Sequence, residues 1–164
     1  MPKIINIEEN ILFELNLLNN EYLDIDFLRD DFENWIPFDF SLCIEKEKYN
    51  YAPEDGATFT LYELKNMITG LGDIIGVKRD GLKTENFLFH SSEGYFDFKI
   101  YDPLEEDLLS IEIWINIGIL TQGKSSGYNK GFQFDIQLSS FKTFAEQLSE
   151  HLKQIISLYE SIRC

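Results

Sequence analysis

The chain has 164 residues, 44% of them hydrophobic and 15% aromatic, which is enough apolar side chain for one folded domain spanning residues 1–164 without disulfides or a structural metal. Its formal net charge of -15, from 29 Asp and Glu against 14 Lys and Arg, argues against nucleic acid and anionic membrane as partners, because both would repel it. Cys43 and Cys164 are too few for a disulfide framework, no run approaches the roughly 20 apolar residues of a membrane span, and the start of the chain turns acidic at Glu8 and Glu9 with no signal-peptide pattern, so a cytoplasmic protein with reduced thiols is expected.

The charge is unevenly spread. Residues 1–45 hold eleven carboxylates against only Lys3 and Arg29. In this part of the chain Ile11, Phe13, Leu15 and Leu17 alternate with Leu12, Glu14, Asn16 and Leu18, which predicts a strand, and Asn19-Asn20 suits a two-residue hairpin. Leu23, Ile25 and Phe27 then share one parity, opposite Tyr22, Asp24 and Asp26, and predict a second strand. Asp30, Asp31 and Glu33 follow as an anionic connection that ends at Asn34-Trp35. A third strand is predicted from Trp35 to about Lys48, with Ile36, Phe38, Phe40, Leu42 and Ile44 facing the core.

After a turn at Pro53–Gly56, Thr60 and Glu63 have the spacing of a capping box, and Leu61, Leu64, Met67, Ile68 and Leu71 continue at helical spacing. Gly70 and Gly72 offer places for this short helix to stop. From about Thr84 the period returns to two. Phe87 and Phe89, then Phe96, Phe98 and Ile100, then Ile111 to Ile119, then Phe132, Phe134 and Ile136 predict four strands in a meander. Between the second and third of these lies another acidic cluster, Asp102, Glu105, Glu106 and Asp107. A closing helix capped by Ser139 or Ser140 carries an apolar stripe from Phe141 to Ile162. The expected fold is α+β: a strongly twisted antiparallel sheet of about seven strands with two helices packed on one face.

No catalytic set emerges. Residues Gly118–Ser125 satisfy the G-x-x-x-x-G-K-S/T phosphate-loop pattern, but Gly127, Asn129 and Gly131 and then a strand follow, where phosphate binding requires a helix N-terminus. The acidic run from Asp24 to Glu33 lacks the spacing and the glycine of a calcium loop. His90 and His151 have no partners at metal-ligand spacing, and no nucleophile sits in a recognisable elbow. No cofactor and no metal is expected, and an enzyme working through paired carboxylates is the weakest of the readings.

What remains is a binding surface of carboxylates and rings. Tyr22, Trp35, Tyr95, Tyr101 and Trp114 fall off the core parity or at strand ends, where a ring is either covered by a loop or left available. The partner-binding candidates are Tyr22, Asp24, Asp26, Asp30, Asp31, Glu33 and Trp35 in the first cluster and Asp102, Glu105, Glu106 and Asp107 in the second. Their charge fits a basic protein; a small intracellular adaptor or scaffold binding some unrelated protein is the alternative.

The order of these pieces resembles the WapI family of bacterial immunity proteins. The likeness is carried by the acidic run into Asn34-Trp35-Ile36, by Thr60-Leu61-Tyr62-Glu63-Leu64, by Glu85-Asn86-Phe87-Leu88-Phe89 opening the meander, and by Gly131-Phe132 before the last strand and helix. The chain departs from the family pattern in having Ile36 where leucine is expected and in lacking a glycine near the start of the second strand. The resemblance implies a cytoplasmic antitoxin without catalytic residues. Its partner would be a cognate toxin C-terminal domain delivered between competing bacteria, often a nuclease. Asp31, Asn34 and Trp35 match the family's most recognisable stretch.

Overall fold

The computed structural model describes residues 1–120 and 129–162. Its class is α+β, as expected, but the described strands number nine and divide into two antiparallel sheets rather than one. In the first sheet β2 (Ile11–Leu17) pairs with β3 (Trp35–Ile44) so that Phe13 lies opposite Leu42 and Leu15 opposite Phe40. The short β1 (Lys3–Ile5) adds to the free side of β2. On its other side β3 has two partners in succession: Trp35–Pro37 pair with β5 (Thr58–Thr60), and Phe40–Ile44 with β4 (Glu47–Tyr51). The second sheet is the expected meander, β6 (Phe87–His90), β7 (Phe96–Tyr101), β8 (Leu108–Asn116) and β9 (Asn129–Gln137), each paired with its predecessor.

Three expectations need correction, each for a local physical reason. The strand predicted over Tyr22–Phe27 does not form, and only the isolated bridge Asp24–Trp35 remains of it. Asn20, Asp26 and Asn34 side chains bond nearby main-chain groups there and replace a strand ladder with turns. The strand predicted to run on to Lys48 reverses at Glu45, which takes a positive φ of 49°, and a two-residue turn starts β4. The strand predicted to reach Ile119 ends at Asn116, whose Oδ1 accepts from the Gly118 amide and turns the chain into one helical turn, α2 (Ile117–Leu120). Of the phosphate-loop match, Gly123, Lys124 and Ser125 lie outside the described residues, as does Cys164.

The first long helix, α1 (Leu61–Arg79), passes through Gly70 and Gly72 instead of stopping there. Its buried stripe continues from Leu64, Met67 and Leu71 to Ile74 and Lys78, and this burial outweighs a cost of about 1 kcal/mol for each interior glycine. Gly70 is needed for packing: a Cβ there would lie 2.2 Å from the Phe87 ring. The helix ends at Asp80, followed by Gly81 with φ 71°. Its start is the predicted capping box, in which Thr60 Oγ1 accepts from the Glu63 amide at 3.1 Å and Glu63 Oε2 accepts from the Thr60 amide at 3.0 Å. Glu63 also accepts from the Ser92 amide and hydroxyl in the β6–β7 turn, so one buried side chain ties the helix start to the second sheet.

The closing helix, α3 (Leu138–Ile162), begins one residue before Ser139, which places both predicted caps inside its first turn. Its stripe of Phe141, Phe144, Ala145, Leu148, Leu152 and Ile155 is buried; α3 lies against β1, β2 and β9, and α1 packs on it. Phe13 stands where these layers meet, within 5.4 to 6.5 Å of the Phe40, Phe96, Phe98 and Phe144 rings. On the outside of the second sheet Trp114 lies over Gly131, its cross-strand neighbour, where a Cβ would come within 2.6 Å of the indole. This contact is a packing reason for the glycine in Gly131-Phe132. No helix among the described residues is long and apolar enough to cross a membrane.

Candidate partner-binding surface

The segment between β2 and β3 holds six carboxylates, Glu21, Asp24, Asp26, Asp30, Asp31 and Glu33, against Arg29 alone. Asn34 keeps it folded. Asn34 is buried, its Oδ1 accepts from the Asp26 amide at 2.6 Å, its Nδ2 donates to the Asp30 carbonyl at 3.0 Å, and its carbonyl accepts from the Leu61 amide at 2.9 Å. Asp24 and Trp35 exchange two main-chain hydrogen bonds that close the loop at its base, and Leu23 is buried beneath it. Of the three residues matching the stretch Asp31-Asn34-Trp35, two therefore serve the fold of the loop: Asn34 by its side chain and Trp35 by its backbone.

Within this frame the acidic side chains stay outside. Asp24 receives the Arg29 guanidinium at 2.5 and 3.1 Å, and that hydrogen bond holds its carboxyl below the usual carboxylate range. Asp31 accepts from Lys65 Nζ at 2.7 Å, which pins the 3-10 turn Asp31–Glu33 onto the first part of α1. Asp26 Oδ1 accepts from the Leu28 amide at 3.0 Å. This turn pushes Leu28 outward until 86% of it is exposed. Phe32 is 58% exposed and stacks on Tyr62 of α1, 43% exposed, with ring centroids 3.9 Å apart. Tyr22 and Phe27 are also exposed.

Strand parity does not single out Leu28, Phe32 or Tyr62. Parity groups Phe27 with Leu23 and Ile25, the anionic connection is defined by Asp30, Asp31 and Glu33 alone, and Tyr62 falls between the two residues of the capping box. The available signal was the density of large apolar residues between carboxylates in a stretch too rich in Asp and Asn for a strand.

The second cluster differs. Asp102, predicted as a displayed carboxylate, is turned inward: its side chain is 2% exposed and pairs at 2.9 Å with Lys78 of α1, itself 4% exposed. Burial alone would raise its pKa, but the Thr84 amide, Lys78 and the Leu104 amide more than offset this and hold the carboxyl below its ordinary value. Lys78 Nζ also donates to the Glu105 carbonyl at 2.6 Å. Asp102 therefore builds the loop, and Glu105, Glu106 and Asp107 remain exposed around it. Leu104 takes φ 66° and is exposed, beside a depression of about 480 Å³ also lined by Lys78, Leu82 and Lys83. From Lys65 to Lys78 the helix rises about 20 Å, so the two clusters mark opposite ends of α1.

The remaining rings are placed individually. Tyr95 is buried and donates to the Asp55 carbonyl at 2.9 Å. Tyr101 is half-buried in β7. Trp114 donates to Glu112 at 3.0 Å and has Lys99 over its ring at 5.8 Å. Among the described residues no group of three or more His, Cys, Asp or Glu side chains could hold a metal ion. His90 faces Asp97 at 2.8 Å on the surface of β6 and β7.

The family model described as the immunity protein WapI-like family matches residues 3–155. No curated protein matches the chain.

Proposed function

The chain belongs to the WapI-like immunity protein family, and from that membership we propose that it binds a cognate toxin C-terminal domain in the cytoplasm and neutralises it without performing a reaction of its own. The toxin domain is basic, as a nuclease that handles an anionic substrate is, and the acidic surface of this chain is its complement. Asp24, Asp26, Asp30, Asp31 and Glu33, with Tyr22 beside them, form the principal contact, and Trp35 holds the base of that loop. Glu105, Glu106 and Asp107 at the far end of α1 extend the attractive field; Asp102 keeps their loop in place.

The observation that carries this reading is the loop before β3, where six carboxylates and several exposed apolar side chains share one framework held by Asn34. Long-range attraction from such a surface speeds encounter, and the apolar side chains within it slow release. The test is co-expression of the chain with the toxin domain encoded by the adjacent reading frame. Protected growth and co-purification are expected; a toxin that kills regardless and fails to co-purify overturns the proposal.

A further inference from the structure

Building on the reading that the acidic loop meets a cationic partner, we infer that Leu28 and the Phe32–Tyr62 stack form an apolar anchor that enters an apolar pocket ringed by lysine or arginine side chains on the toxin domain. Exposed carboxylates alone hold a partner weakly, because each surface ion pair contributes little after solvation and salt screening. Slow release requires apolar groups that leave water on binding.

The three side chains have that character. Leu28 sits on the outside of a turn that Asp26 fixes by accepting from the Leu28 amide, so its exposure is built into the backbone. Phe32 and Tyr62 come from different elements, the 3-10 turn and α1, and each orders the other by stacking. The Asp31–Lys65 pair, one residue before Phe32 and three after Tyr62, fastens the same two elements. The stack leaves Phe32 and Tyr62 little side-chain freedom to lose on docking, which favours tight association. Leu28, four residues before Phe32 in the chain, is 86% exposed and the stacked Phe32 and Tyr62 are 58% and 43% exposed, so each has apolar surface left to withdraw from water on docking.

The occupant follows from charge. Asp30, Asp31 and Glu33 flank Phe32, and Asp26 precedes Leu28 by two residues. A second copy of a chain with net charge -15 would meet this rim with the same sign, and so would a nucleic acid or an anionic membrane. A basic protein with an apolar recess satisfies both the rim and the anchor.

The two contributions separate kinetically. In surface-immobilised binding between the full chain and the purified toxin domain of the adjacent gene, Leu28→Glu and Phe32→Ala each raise the dissociation rate about tenfold or more while association stays within about twofold. Glu21→Gln and Asp30→Asn together, which leave the Asp31–Lys65 pair and the Glu33 contact in place, slow association and flatten its dependence on salt instead. Leu88→Ala, at an exposed leucine of β6, changes neither rate. Leu28 is almost fully exposed, so Leu28→Glu leaves the thermal midpoint unchanged and keeps the test independent of folding. Dissociation unchanged in both anchor variants, with the parent chain binding, overturns the anchor alone. No binding by the parent chain overturns the anchor together with the reading it rests on.

Discussion

The two acidic loops at the ends of α1 look alike in sequence and differ in how they use their charge. In the loop before β3 a buried neutral side chain, Asn34, supplies the central internal bonds, and the carboxylates stay at the surface, Asp26 and Glu33 each accepting from a single nearby amide. In the loop after β7 one carboxylate, Asp102, has been drawn inside to satisfy Lys78 and two amides, and its neighbours remain outside. The difference teaches that a run of Asp and Glu contains two kinds of residue, those that hold a loop and those it displays. The number of backbone donors each accepts from distinguishes them.

Removing the internal charge pair should produce the largest effect. Lys78→Ala leaves Asp102 buried without its counter-ion and is expected to cost about 3–5 kcal/mol, lowering the thermal midpoint by roughly 10 °C in calorimetry. If Lys78→Ala were as stable as the parent chain, the two loops would not differ as described. Next is Asn34→Ala, which strands the Asp26 amide and the Asp30 carbonyl. A loss of about 1–3 kcal/mol in denaturant unfolding is expected, with hydrogen exchange accelerated in residues 24–34 ahead of the rest.

The pair also has a pH signature. Because the folded-state pKa of Asp102 is depressed, the unfolded chain takes up that proton first as the medium is acidified. The stability it contributes is complete above the ordinary carboxylate range and disappears as pH falls through the folded value. Asp102→Asn should therefore be destabilised near neutral pH and show a shallower acid-side decline, measurable as unfolding midpoints between neutral pH and the acid limb. The smallest effect on stability belongs to the displayed carboxylates. Asp31→Asn loses a surface pair with Lys65 and should change unfolding free energy by no more than about 0.5 kcal/mol, while slowing association with the toxin domain in stopped-flow measurements.

Much of the fold could be read in advance because burial on one face imposes a strict period. Ile111, Ile113 and Ile115 in β8, Phe96, Phe98 and Ile100 in β7, and Phe141 to Ile155 in α3 lie on the predicted side. The capping box at Thr60 and Glu63 was legible for the same reason, since its geometry is local. Division into two sheets was not legible, because β3 changes partners along its length and β4 and β5 are too short and polar to carry a period of their own. Leu23, Ile25 and Phe27 mimic a strand, yet parity cannot show that Asp26 and Asn34 will claim the backbone first. In the candidate surface the acidic residues were evident and the apolar ones were not. Whether Phe32 is covered depends on Tyr62 of α1, 30 residues further on.

The attachment of Glu63 to both Thr60 and Ser92 bears on any attempt to make the protein smaller. A fragment ending after α1 would keep the whole first acidic loop but strip that carboxyl of half its donors and leave the Phe13 side of the first sheet facing water. A miniature inhibitor cut at that point should therefore precipitate or melt, and a useful decoy would have to transplant residues 21–35 and the opening turn of α1 onto a different support.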